Sequence, residues 1–169
     1  MAKKQLIYKG RVFSLFKQKR RLPNGYLATL DIIEHPGAVL IIPFLKPGEL
    51  IMLKQFRPVL NKYLFELPAG TRDISETPLA CAHRELIEET GYAAKKMTLL
   101  GKIYPVPGYS TEKILIYRAK GLKPEKRAGD KDEIIKSNIF TKKETKKLFK
   151  TGKITDAKTI SALALCHWL

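Results

Sequence analysis

Cysteine is almost missing from this sequence: Cys81 and Cys166 are its only two. So few thiols, so far apart, give neither a disulfide framework nor a zinc site, and both are expected to be small buried hydrophobes. Long apolar runs are missing too. No stretch reaches the roughly 18 residues that a membrane helix needs. No charged-then-apolar leader ends in a small-residue cleavage site, so a cytoplasmic protein with no membrane attachment is expected. The three histidines, His35, His83 and His167, share no metal-ligand spacing and receive no chemical role. Internal repeats and low-complexity tracts are absent as well. What remains is one domain's worth of chain, 169 residues with 44% hydrophobic content, enough for a proper core.

Acids are scarce: 16 stand against 32 lysines and arginines, for a formal charge of +16 at pH 7. A positive field raises the encounter rate with a phosphorylated substrate and can also hold RNA or DNA nonspecifically. The basic residues are spread over 17–21, 142–150 and scattered loops, with no interleaved aromatic platform and no nucleic-acid motif. A solvated basic surface is therefore favoured over a nucleic-acid groove.

Against that scarcity, residues 70–92 stand out, with four glutamates, Arg84 and two bracketing glycines, Gly70 and Gly91. Thr77 can cap a helix, Pro78 suits its first position and Gly91 supplies a left-handed stop, so a helix is expected over about 78–90. On it Glu85, Glu88 and Glu89 fall at i, i+3 and i+4, one face within one turn. If solvated, their repulsion costs only about 0.2–0.5 kcal/mol per pair, so an exposed acidic patch is one reading. Leu79, Ala82 and Leu86 form an apolar strip, and Ala80 and Ile87 offer apolar surface on another side. A helix packed on two sides leaves the acids lining a cleft. Closely placed carboxylates there suit a hard divalent cation, magnesium or manganese, where phosphate oxygens complete the shell.

The rest of the chain has mainly strand character. Runs at 11–22 and 26–34 flank an Asn-Gly turn and form an opening hairpin too sparse in apolar positions to make its own core. Residues 38–45 read as a buried strand, 50–56 as its return, and 63–67 as a short strand leading to Gly70. After the helix come strands at 97–104 and 113–119 around a rigid Pro-Gly loop, where specificity can reside, and a strand at 134–140. Thr141 and Glu144 make a capping box for a helix ending near Gly152, and Asp156 caps a last helix through Trp168, with Ile160, Leu163, Ala164 and His167 near one face. This order argues an α+β fold with a mixed sheet.

Gly70, five residues, Glu76, seven residues, Arg84-Glu85-Leu86, one residue, Glu88-Glu89, one residue, Gly91 and Tyr92: the run resembles the Nudix box of the Nudix hydrolases at every defined position. Around Glu76 this chain has Ser75 where many relatives have glycine, which bears on the loop alone. The resemblance implies the Nudix fold, a mixed central β-sheet sandwiched between helices, and hydrolysis of a nucleoside diphosphate linked to another moiety. It also implies magnesium held by Glu85 and Glu89, with Glu88 assisting and Arg84 and Glu76 bracing loop and helix as an ion pair. Gly70, Glu76 and Gly91 are then the structural residues of the box.

Beyond the box, His35-Pro36-Gly37-Ala38-Val39, Gln55-Phe56-Arg57, Glu66-Leu67-Pro68-Ala69-Gly70 and Pro107-Gly108 with Ser110 and Glu112 resemble the ADP-ribose pyrophosphatase branch. That likeness implies ADP-ribose as substrate, with GDP-mannose or other nucleotide sugars as the alternative. A protein of another class, binding nucleotides or RNA ends on this scaffold, is a third reading. The branch implies the Ala69 carbonyl as a further metal ligand, and a substrate loop containing Pro107, Gly108 and Glu112. It also implies a glutamate base in a later loop, for which Glu133 is favoured and Asp132 is second. Arg57 is expected to hold a phosphate or ribose hydroxyl with its forked donors, against the plainer reading of a strand-end charge. Residues 1–35 are expected to be a β extension serving dimerisation and the substrate pocket, and 36–169 the hydrolase domain. The hairpin would otherwise leave exposed edges, and the branch is typically homodimeric with exchanged N-terminal strands.

Overall fold

The computed structural model describes residues 4–125 and 134–169; Asp132 and Glu133 lie outside the described residues. Three strands, β1 (Lys4–Lys9), β2 (Ser14–Arg21) and β3 (Leu27–Glu34), form a separate antiparallel sheet in the order β1-β2-β3. The β2–β3 hairpin stands where the sequence places it, running from Ser14↔Glu34 to Arg21↔Leu27. Its turn needs Gly25 at φ 84°, and the Asn24 side chain accepts a hydrogen bond from the Tyr26 N–H at 3.1 Å. Two points differ from expectation. β2 starts at Ser14 rather than residue 11, and β1 adds a third strand outside it.

The core strands are β4 (Ala38–Lys46) and β5 (Glu49–Arg57). Their nearly unbroken apolar runs suit strands covered on both faces, and residues Val39 to Ile42 and Leu50 to Leu53 are buried. β6 (Lys62–Glu66) returns along β5, and β7 (Ala69–Thr71) is a short strand beside the start of β4. Helix α1 (Pro78–Thr90) leads into β8 (Tyr92–Ile103) and β9 (Ile114–Pro124), and β10 (Ile135–Thr141), α2 (Lys142–Lys150) and α3 (Ala157–Leu165) complete the chain. The large sheet runs β10-β5-β4-β9-β8, with β6 off β5 and β7 off β4. Among the described residues of this sheet only β4 and β9 pair in parallel, and its other strand pairs are antiparallel. This is the α+β mixed sheet expected.

Alternation along β4 separates two cores. Val39 and Ile41 join Tyr117 and Ala119 under Cys81, Ala82 and Leu86 of α1. Leu40 and Ile42 join Ile116 under Ala162 and Leu163 of α3, with Trp168. Each such large side chain contributes roughly 1.5–3 kcal/mol on burial. The sheet is thus sandwiched between helices. β8 and β9 are each about five residues longer than expected because Tyr92↔Pro124 to Lys96↔Lys120 pair beyond the apolar part. α3 stops at Leu165, short of Trp168: His167 adopts φ 57°, which returns Trp168 to the core against Phe44, 5.4 Å between ring centroids. Of the face expected there, Leu163 is buried, whereas Ala164 and His167 are exposed. No helix among the described residues is long and apolar enough to cross a membrane.

Candidate active site

The box helix is bounded as its sequence requires. The Thr77 side chain accepts from the Ala80 N–H at 3.2 Å, Pro78 opens the helix, and Gly91 ends it at φ 74° with its N–H on the Ile87 carbonyl. Its buried arc differs from the expected strip. Leu79 is 46% exposed, while Cys81, Ala82, Leu86, Glu89 and Thr90 are buried. The small Cys81 and Ala82 let the helix lie close on β4 and β7, and this choice of face turns Leu79 to solvent and carries Glu89 inward. Burial pushes the Cys81 thiol up to about 12, so it packs as a hydrophobe and offers no thiolate.

Three carboxylates surround one guanidinium. Arg84 Nε and Nη2 donate to the two oxygens of Glu76, both at 2.9 Å, while Nη1 donates to Glu85 at 2.7 Å and to Glu88 at 3.0 Å. The hydrogen bonds from Arg84 hold Glu76 down at about 2, and the same partnership raises Arg84 further above its ordinary value. Glu89, 8% exposed, takes another route: its Oε2 accepts from the Ala69 N–H at 2.9 Å. Next along β7, a Cβ on Gly70 would stand 1.8 Å from Glu85 Oε1. Gly70 is therefore required for Glu85 to lie against the strand.

β7 thus brings Glu89 to the Ala69 N–H and Glu85 to Gly70, gathering carboxylate oxygens along one short segment. All of these are hard oxygen donors, the chemistry that suits magnesium or manganese, and the glycine-cleared contact gives Glu85 its room. Among the described residues no three acidic, His or Cys side chains already converge as a metal cage. Arg84 draws Glu85 and Glu88 to itself instead, so these side chains would have to turn from the guanidinium to hold a metal.

A second ion network was not expected. Arg57, at the end of β5, donates from Nε and Nη2 to the two oxygens of Glu66 at 2.7 and 2.6 Å. Glu66 is 1% exposed and also meets Lys158 of α3, which reaches Asp156 at 2.8 Å. Burial alone would raise the Glu66 pKa, but Arg57 and Lys158 outweigh it and the net direction is downward. The buried Thr159 accepts from the Leu67 N–H at 2.9 Å. In the sequence Glu66 stands out only as the start of the run Glu66-Leu67-Pro68-Ala69-Gly70, with no role of its own, and nothing marks Lys158.

Pro107 and Gly108 line a cavity of about 320 Å³ with Gln18, Arg20, Asp31 and Thr111. The N-terminal sheet docks there: Ile33 N–H donates to the Tyr109 carbonyl at 2.8 Å, and Thr111 N–H to the Ile33 carbonyl at 2.9 Å. Glu112 follows in the same loop, its N–H on the Ser110 hydroxyl at 3.1 Å. This lining includes none of the box residues. A larger cavity, about 600 Å³, lies at the far end of β4 between Phe44, Arg118 and His167, away from every expected site residue.

Residues 34–163 match the model of the NUDIX domain. The chain is 38% identical over 162 residues to an ADP-ribose pyrophosphatase of Bacillus subtilis, covering 95% of this chain and 88% of that one. It is 39% identical over 163 residues to a methanol dehydrogenase activator of Bacillus methanolicus, with the same coverage, 95% and 88%. Among solved structures, an ADP compounds hydrolase superposes with a TM-score of 0.84 at 25% identity, over 99% of this chain and 91% of that one.

Proposed function

The chain belongs to the NUDIX family, and from that membership we propose that it hydrolyses the pyrophosphate bond of ADP-ribose, with magnesium, to AMP and ribose 5-phosphate. One water is consumed: its oxygen forms a new P–O bond as the bridging P–O bond breaks, and the two products share its protons. The observation that carries this reading is the contact of Glu85 and Glu89 with Gly70 and Ala69, beside Arg84. Relatives named as an ADP-ribose pyrophosphatase and an ADP compounds hydrolase supply the substrate class.

Glu85, Glu89 and the Ala69 carbonyl would hold the metal, with Glu88 assisting. When bound, a divalent ion there neutralises phosphate charge and lowers the pKa of a coordinated water. The chain's own residues do the rest. Arg84 keeps the Glu76 carboxylate ionised and the Glu76 loop closed over the helix, and Arg57 offers a guanidinium edge to a phosphate or ribose hydroxyl. Glu133, with Asp132 second, takes the proton of the attacking water. Pro107, Gly108 and Glu112 shape the sugar side beside the N-terminal sheet.

The same sheet argues for a homodimer. Leu6, Ile7, Tyr8, Val12 and Phe13 are each at least 40% exposed, an apolar surface that a second copy would cover, with residues 1–35 as the dimerisation extension. A cytoplasmic setting accords with such a substrate.

A panel of nucleotide sugars with magnesium, with products identified, tests the reading. ADP-ribose should be among the best substrates and yield AMP. Preference for GDP-mannose would replace the substrate, and no turnover on any of them would sink the hydrolase reading. In the same assay Glu133→Gln should lower kcat far more than it raises KM; that behaviour in Asp132→Asn alone would move the base by one residue.

A further inference from the structure

We propose that Glu66 and Lys158 are positioning residues for substrate binding: the buried Glu66 carboxylate, shared between two cations, grips the Arg57 guanidinium by one edge and leaves its other edge for a substrate phosphate. The inference rests on the role given to Arg57 above. Its geometry is asymmetric. Nε and Nη2 face Glu66, which is 1% exposed, whereas the Arg57 side chain is 36% exposed, and Nη1 has no hydrogen-bond partner among the described residues. A guanidinium held along one edge keeps its plane and its remaining donors fixed, so less freedom is lost when a phosphate arrives.

Lys158 explains why that grip leaves Arg57 charge to offer. Were Glu66 paired with Arg57 alone, the two charges would satisfy each other. Here Lys158 bonds the same oxygen, Oε2, that receives Nη2, which divides the carboxylate's pull. Lys158 is fixed in turn by Asp156, whose other oxygen caps α3 at the Thr159 N–H, 2.9 Å. Thr159 then takes the N–H of Leu67, two residues before the Ala69 N–H that binds Glu89. The first turn of α3 therefore sets Arg57 and the entry to β7 together. The Arg57 pKa is raised first by its hydrogen bond to Glu66, and also by the charge of Glu89, so the guanidinium lies within the field of the box carboxylates. A buried ion pair is weak evidence for stability in itself, which makes a positioning role the more informative reading.

A double-mutant cycle in the full chain tests this, on whichever nucleotide sugar the wild type hydrolyses fastest. Lys158→Met and Glu66→Gln should each raise KM about tenfold, with kcat and the magnesium half-saturation within about twofold. Lys158→Arg should restore KM. Arg57→Ala should raise KM at least as much, and adding Lys158→Met to it should change KM by less than about twofold. A structural effect alone would lower the melting temperature and act equally in both backgrounds. Equal effects with and without Arg57 would overturn the proposal, as would an unchanged KM in Lys158→Met. If Glu66→Gln does not fold, the Lys158 variants carry the test. A wild type preferring another sugar contradicts the ADP-ribose reading and leaves the cycle intact; one that hydrolyses none overturns both.

Discussion

Arg84 binds Glu76, Glu85 and Glu88 with one guanidinium, and this makes it both a brace and a charge balance. Arg84→Ala would leave three half-buried carboxylates without it, and should cost about 2–3 kcal/mol in denaturant unfolding along with activity. The pH dependence has a definite sign. Glu76 is depressed from 4.5 to about 2 by its Arg84 hydrogen bonds, so its contribution is complete above about pH 4.5 and is lost as pH falls through 2. Wild-type stability should decline across that window, and Arg84→Ala should remove much of the decline. Gly70 gives a separate test. An alanine there would put its Cβ within 1.8 Å of Glu85 Oε1, so Gly70→Ala must displace the carboxylate. We expect kcat to fall about 100-fold with an unchanged circular dichroism spectrum; near-normal kcat would mean that Glu85 does not work from this position.

At the scale of elements, α1 was legible to the residue because its ends carry their own chemistry: Thr77, Pro78 and Gly91 each do one job. The capping box of α2, Thr141 with Glu144, was legible for the same reason. Since the Thr77 cap lies two turns from Glu85, Thr77→Ala should cost about 1 kcal/mol in thermal or denaturant unfolding while kcat stays within about twofold. Strand ends were not legible where pairing continues through polar residues. In β8, Lys95 and Lys96 interrupt the apolar pattern, yet backbone pairing with β9 persists. The box carboxylates could be found because their spacing is local. Glu66 and Lys158 could not, because 92 residues separate them and only the packing of α3 beside β6 joins them. The buried arc of α1 was misjudged at Leu79, since the periodicity alone does not say that Cys81 rather than Leu79 meets the sheet.

Over the whole molecule, the acids that remain after the box is accounted for are few, and the net charge of +16 attracts an anionic substrate. Such a field acts on encounter, not on chemistry. Between about 50 and 500 mM salt, kcat/KM should fall several-fold while kcat holds steady; an unchanged kcat/KM would show that the charge serves something else. The separate N-terminal sheet, joined to the body at the loop of Tyr109 and Thr111, completes a cavity that the hydrolase domain only half encloses. The central claim concerns the box carboxylates and the bond they help to break. Phosphorus NMR of ADP-ribose with magnesium, followed for the wild type, Glu85→Gln and Glu89→Gln, tests it most directly. The account predicts that the wild type converts the two coupled pyrophosphate signals into two phosphomonoester signals of equal intensity, and that each variant does so at least about 100-fold more slowly. Intact pyrophosphate with the wild type, or wild-type rates in both variants, would contradict it.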